Sequence, residues 1–261
     1  MSRKSKKSRK HRYRAANAVY VLPNLFTTAN LFFGFLSIIS SIQGRFVTAS
    51  MVVLIAVLFD VLDGRVARMA NATSHFGKEY DSLVDLVSFG LAPALLMYLW
   101  AMTSLDRFGW LTAFLFVACG ALRLARFNTL PGGANYFLGL PIPAAAGCVV
   151  TLVLFCSEIN YMPSLYLVLV FTFLISFLMV SNVHYPSMKK SFDRKRINFQ
   201  VLVVVVLVVI FIAARPQIGL FIVMMIYLIS GPIWYGRYLC TRKKTSEESL
   251  AASPESDAND Q

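Results

Sequence analysis

Asp60, Asp63, Asp81 and Asp85 are the residues of this chain best suited to chemistry, because they interrupt two stretches that are otherwise largely apolar. On a helix turning about 100° per residue, Asp60, Asp63, Gly64 and Ala67 share one arc of roughly 100°, with Arg68 at its edge. Gly77, Asp81, Asp85 and Ser88 share an arc of roughly 80° on the segment that follows. Two such helices facing each other predict a four-carboxylate cluster. An Asp at mid-depth in a bilayer costs about 2.5 to 3.5 kcal/mol on insertion scales. Four uncompensated ones would cost on the order of 10 kcal/mol, so they must meet cations or water. Neighbouring ionised carboxylates also repel, which one or two hard divalent ions, Mg²⁺ or Mn²⁺, would reverse. Structural ion pairs with Arg65, Arg68 and Lys78 are the plainer explanation, but they account for neither the two-helix spacing nor the glycines. Gly64 and Ala67 leave room for a phosphate or sugar beside the helix, and Arg68 offers a planar fork to phosphate. Taken alone, the small residues equally suit close helix packing.

The elements that must position these residues are membrane helices. Of 261 residues, 57% are hydrophobic and 15% charged, against roughly a quarter charged in soluble domains. The expected fold is an all-α, polytopic membrane bundle of about eight spans. The spans are Val19 to Gln43, Phe46 to Met69, Phe76 to Met102, Phe108 to Phe127, Pro141 to Ser157, Met162 to Val183, Phe199 to Ala214 and Ile218 to Tyr238. Residues 1–18 read as a disordered basic tail, 19–240 as one membrane domain, and 241–261 as a polar, acidic, solvated tail. With the amino terminus in the cytoplasm, the basic loop around Lys189 to Arg196 also falls inside, and only Arg45, Arg107 and Arg215 are left outside. Both tails and the acidic cluster are then cytoplasmic. The net charge of +12 is explained by this topology better than by nucleic-acid binding. Cys119, Cys148, Cys156 and Cys240 have no metal-like spacing and read as packing residues.

The pattern D-x2-D-G-x2-A-R-x8-G-x3-D-x3-D is complete from Asp60 to Asp85, and it resembles the signature of the CDP-alcohol phosphatidyltransferases. The resemblance implies that Asp60, Asp63 and Asp81 bind metal, that Asp85 lies close to the ions and acts as general base, and that Asp60, Gly64, Ala67, Arg68 and Gly77 receive the CDP moiety. The implied reaction is attack of an alcohol on the phosphatidyl phosphorus of CDP-diacylglycerol, with release of CMP. The family is typically dimeric, which implies a homodimer among membrane lipids.

Three further stretches, Leu22 to Gly34, Ala121 to Asn128 and Gly139 to Gly147, resemble the bacterial branch of that family that uses L-serine. That branch implies the inner membrane as the location. Arg123 and Arg126 share a helix face by their i,i+3 spacing. They are expected to bind a serine carboxylate or a CDP phosphate, or else to snorkel to lipid phosphates. Asn24 and Asn30 are expected either to line the polar cavity or to hydrogen-bond between helices. Pro131-Gly132-Gly133 marks a loop that would cover the site. Glycerol 3-phosphate is the competing acceptor, and an ion- or proton-coupled transporter is the competing class, which predicts midplane acids reachable from both sides.

Overall fold

In the computed structural model the described residues are 3–69, 75–129, 137–185 and 214–251, with side chains described for 23–66, 69, 75–129, 139–183 and 214–236. Helix α1 spans Arg3–Ile42 and α2 spans Phe46–Met69. The backbone of α1 is thus helical through the basic stretch expected to be disordered. Lys, Arg and Ala are good helix formers, and once a span supplies the nucleus each added residue gains a hydrogen bond. The α1–α2 hairpin turns at Gly44, whose φ of +72° favours glycine. There the amides of Gly44 and Arg45 bond to the carbonyls of Ser41 and Ser40, closing the helix end.

The next rod starts with α3, His75–Asp85, and continues through a π-helical segment Leu86–Leu91, helix α4 Ala92–Met97, and a second π-helical segment Tyr98–Met102. Pro93 lies in the first turn of α4, and a proline can give no amide to the carbonyl one turn earlier. The wider π register absorbs that gap, with the Ala92 amide bonded to the Val87 carbonyl. A 3₁₀ turn, Thr103–Leu105, and Asp106 at φ 43° reverse the chain into α5, Asp106–Thr129. Helix α6, Ile142–Glu158, enters on the Pro141 and Pro143 pair, as prolines suit a first helical turn. It is followed by α7, Leu165–Val180, and α8, Pro216–Ala251. Strands β1, Phe137–Leu138, and β2, His184–Tyr185, form a two-residue antiparallel ladder that joins the entry of α6 to the exit of α7.

Among the described residues this gives seven helical rods, so the expected all-α membrane bundle is found, with β1 and β2 as its two short strands. The expected span at 199–214 lies, apart from Ala214, outside the described residues. The residues bracketing that gap stand at opposite ends of the bundle: Tyr185 pairs with Phe137, whereas Arg215 bridges Glu158 at 2.8 Å. Four apolar helical stretches are long enough to cross a membrane, and α6 and α7 are shorter apolar helices. The outer faces carry exposed Phe32, Phe35, Phe114, Phe173 and Phe177, apolar surface suited to lipid rather than water. Inside, α6 is the axial helix, and its Ala145, Ala146, Val149 and Val153 are fully buried. Cys119, Cys148 and Cys156 are free and buried, in keeping with a packing role.

Helix α1 meets the π segment at Gly34, where an added Cβ would fall 2.7 Å from Ser88 Cα and 2.8 Å from Ser88 Cβ. Gly236 of α8 has nothing within 4 Å of the same position. Gly34→Ala should therefore destabilise the bundle by about 1 to 3 kcal/mol through overpacking, while Gly236→Ala should be neutral or slightly stabilising. Thermal unfolding of the two variants in one detergent checks the contrast.

Candidate active site

The acids come together as the spacing predicts. Asp60 and Asp63 lie in the last turns of α2, and Asp81 and Asp85 lie in α3 on the strand of chain that returns from it. One carboxylate oxygen from each of Asp60, Asp63 and Asp81 lies within 4.8 Å of the others. Asp85, at the junction of α3 with the π segment, brings its carboxyl within hydrogen-bonding reach of Asp60. Asp63 is buried, and Thr27 Oγ1 of α1 donates a 3.0 Å hydrogen bond to its Oδ2, sharing its one proton with the Pro23 carbonyl at 3.2 Å. The Gly64 amide supports the same carboxyl.

Among the described residues no ion pair neutralises this charge, and the one buried guanidinium, that of Arg123, acts on Asp85 only at longer range. Two carboxylates 4.8 Å apart repel by about 3.5 kcal/mol at an effective dielectric of about 20. Among the described residues the one ion pair is Arg215 with Glu158 at the far end of the bundle. Arg65 and Lys78 are exposed, so the ion-pair explanation finds no support in them. Asp81 Oδ1 and Asp85 Oδ1 are buried without a hydrogen-bond partner among the described residues, and each such orphan costs about 1 to 3 kcal/mol. An all-oxygen donor set with unpartnered, inward oxygens fits a hard divalent cation held by Asp60, Asp63 and Asp81.

Of the remaining expected site residues, Gly64 and Gly77 are half-buried beside the acids, and Ala67 and Arg68 lie in the last turns of α2 with side chains outside the description. Asn24 stands one turn before Thr27 on α1, half-buried, and its carbonyl accepts a 2.7 Å bond from Thr28. Arg123 and Arg126 part company. Arg123 is buried within electrostatic range of Asp85 and of Tyr227 on α8, and its Nε has no hydrogen-bond partner among the described residues. Arg126 instead donates from Nη2 to Asn182 Oδ1 at 2.8 Å. Positions i and i+3 differ by about 60° and about 4.5 Å of rise, enough to send one guanidinium inward and the other to the loop after α7.

Asn30 departs from both of its expected roles. Its side chain is fully buried with neither amide atom partnered among the described residues. Contact with the π segment is made instead by its backbone carbonyl, which accepts from Ser88 Oγ at 3.2 Å. The loop at 131–133 lies outside the described residues. Tyr227 had no sequence signal, since only the packing of α8 brings it to Arg123. The bonds that tie α3 to its neighbours, Tyr80 with Thr28 and Ser82 with Asn128, were also missed, although Tyr80 and Ser82 flank Asp81 directly.

The family model described as CDP-alcohol phosphatidyltransferase matches residues 20–178. The chain is 40% identical over 221 residues to a Helicobacter pylori protein named CDP-diacylglycerol–serine O-phosphatidyltransferase, covering 83% of this chain and 92% of that one. A Bacillus subtilis protein of the same name is 37% identical over 169 residues, 65% of this chain and 92% of its own. Archaetidylserine synthase of Methanothermobacter thermautotrophicus is 43% identical over 169 residues, 63% of this chain and 69% of its own.

Because the acids on α2 and α3 share one cluster, Asp60→Asn or Asp81→Asn should weaken Mn²⁺ binding to the detergent-solubilised protein by more than about tenfold. Electron paramagnetic resonance of free Mn²⁺ measures this, and circular dichroism should remain that of the parent protein.

Proposed function

Since this chain belongs to the CDP-alcohol phosphatidyltransferase family, we propose that it is an enzyme that transfers the phosphatidyl group of CDP-diacylglycerol to the hydroxyl of L-serine, giving phosphatidylserine and CMP. The observation that carries this reading is the convergence of Asp60, Asp63 and Asp81 within 4.8 Å, in a chain about 40% identical to relatives named for the serine reaction.

In this reading Asp60, Asp63 and Asp81 hold one or two divalent ions, Mg²⁺ or Mn²⁺. Such an ion neutralises the charge of the diphosphate and of the leaving CMP. Gly64, Ala67 and Gly77 keep the helix surfaces low beside the nucleotide, and Arg68 offers its fork to a phosphate. Asp85 takes the proton of the serine hydroxyl as its oxygen bonds to phosphorus. The bond from phosphorus to the CMP oxygen breaks, and CMP leaves with that electron pair. Arg123, buried near Asp85, is available to the serine carboxylate or a CDP phosphate, with Arg126 and Asn24 at the margin of the site.

The reading also sets the protein as a homodimer in a bacterial inner membrane, as the family resemblance implies, with both termini and the acids on the cytoplasmic side. The support for that orientation is the distribution of charge. Arg45, Arg107 and the Glu158–Arg215 pair belong to the end remote from the acids, and the basic runs at the start of α1 and in the later turns of α8 belong to the other. A soluble nucleotide then reaches the carboxylates from water while the acyl chains stay in lipid.

Purified protein given CDP-diacylglycerol, Mn²⁺ or Mg²⁺ and labelled L-serine should release CMP and form a labelled lipid, whereas labelled glycerol 3-phosphate should not be incorporated. No CMP release with serine overturns the assignment. Asp85→Asn should lower kcat by about a hundredfold or more with Mn²⁺ still bound, and wild-type turnover would remove Asp85 as base. Arg68→Lys should raise KM for CDP-diacylglycerol more than it lowers kcat.

A further inference from the structure

Asp81 is flanked by two residues whose side chains reach different neighbouring helices. Tyr80 Oη lies 3.1 Å from Thr28 Oγ1 of α1. The single hydroxyl proton of Thr28 is directed to the Asn24 carbonyl at 2.7 Å, so Tyr80 is the donor in this pair. Its ring stacks on Phe76, with centroids 6.0 Å apart and planes at 11°, which holds the phenol in that direction. On the other side of Asp81, Ser82 Oγ donates to the Lys78 carbonyl at 3.1 Å and accepts from Asn128 Nδ2 of α5 at 3.0 Å.

Residues 80 and 82 are about 200° apart around a helix, with residue 81 midway between them. The bonds to α1 and α5 therefore grip α3 on its two flanks and leave Asp81 facing α2. Thr27, next to Thr28, ties Asp63 to the same helix at 3.0 Å. One threonine pair on α1 thus references both acid-bearing helices to a common frame.

We propose that Tyr80, with Thr28, and Ser82, with Asn128, are positioning residues that lock the rotation of α3 and so set the affinity of the carboxylate cluster for its divalent ion. This rests on the metal reading of the preceding subsection. The four side chains act through the placement of Asp81, so loosening them reduces metal affinity and leaves the chemical step intact once metal is saturating.

The test compares Tyr80→Phe, which keeps the ring stack and loses the donated bond, Asn128→Ala, and the double variant. Ser82→Ala removes the second bond from its other side, should Asn128→Ala fail to fold. Ser37→Ala is the control, because Ser37 makes an ordinary bond between α1 and α2, to the Ala49 carbonyl at 3.0 Å. Mn²⁺ binding read by electron paramagnetic resonance should weaken about three- to tenfold for each latch, with Ser37→Ala unchanged. Half-saturating metal in the CMP-release assay should rise in parallel, and kcat at saturating metal should stay within about twofold. Wild-type Mn²⁺ affinity in the double variant, or a loss of turnover that added metal does not restore, overturns the latch alone. A parent protein that binds no Mn²⁺ removes the metal reading, and the latch falls with it.

Discussion

Mutual repulsion among four carboxylates is the constraint on which this structure depends. Three of them bring oxygens within 4.8 Å, in a bundle whose described residues offer them no ion pair. Such a cluster holds only if the helices carrying it are fixed by other means. The α1–α2 hairpin supplies one restraint through its tight turn and the Thr27 bond to Asp63. Burial of α6 among all its neighbours supplies another. The energy that opposes repulsion therefore comes from packing and from the hydrogen bond to Asp63, and a bound cation would convert the strained arrangement into a favourable one.

The rod that begins with α3 makes two demands of one stretch of sequence. Its first turns must present Asp81 and Asp85, and its later turns must pack Phe89, Leu96 and Met97 in the core. A uniform α register running into Pro93 would leave a carbonyl without its donor. The π segment Leu86–Leu91 accommodates the proline and begins directly after Asp85. Core packing and site geometry are thus joined at a single register change, the kind of irregularity that clusters at functional sites.

How much of this was readable beforehand follows from range. Asp60 to Asp85 was legible because each acid pair sits on one helix, where spacing alone fixes the face, and a short connection makes the two helices neighbours. The apolar spans were legible because length and composition report burial directly. What failed depended on tertiary partners. The i,i+3 spacing of Arg123 and Arg126 gave a common face but not the Asn182 side chain that draws Arg126 away. Asn30 read as either a cavity residue or a hydrogen-bonding link between helices, yet α1 packs so closely there that its side chain is wholly buried with neither amide atom partnered among the described residues. Tyr227 comes from more than a hundred residues downstream.

Gly34 gives the first helix an uneven mechanical character. At that level α1 and the π segment touch almost backbone to backbone, so closer approach is closed to α1. Thr27 lies about two turns away along the same helix. A tilt of α1 about that contact would displace the hydroxyls of Thr27 and Thr28, and with them their bonds to the acid-bearing helices.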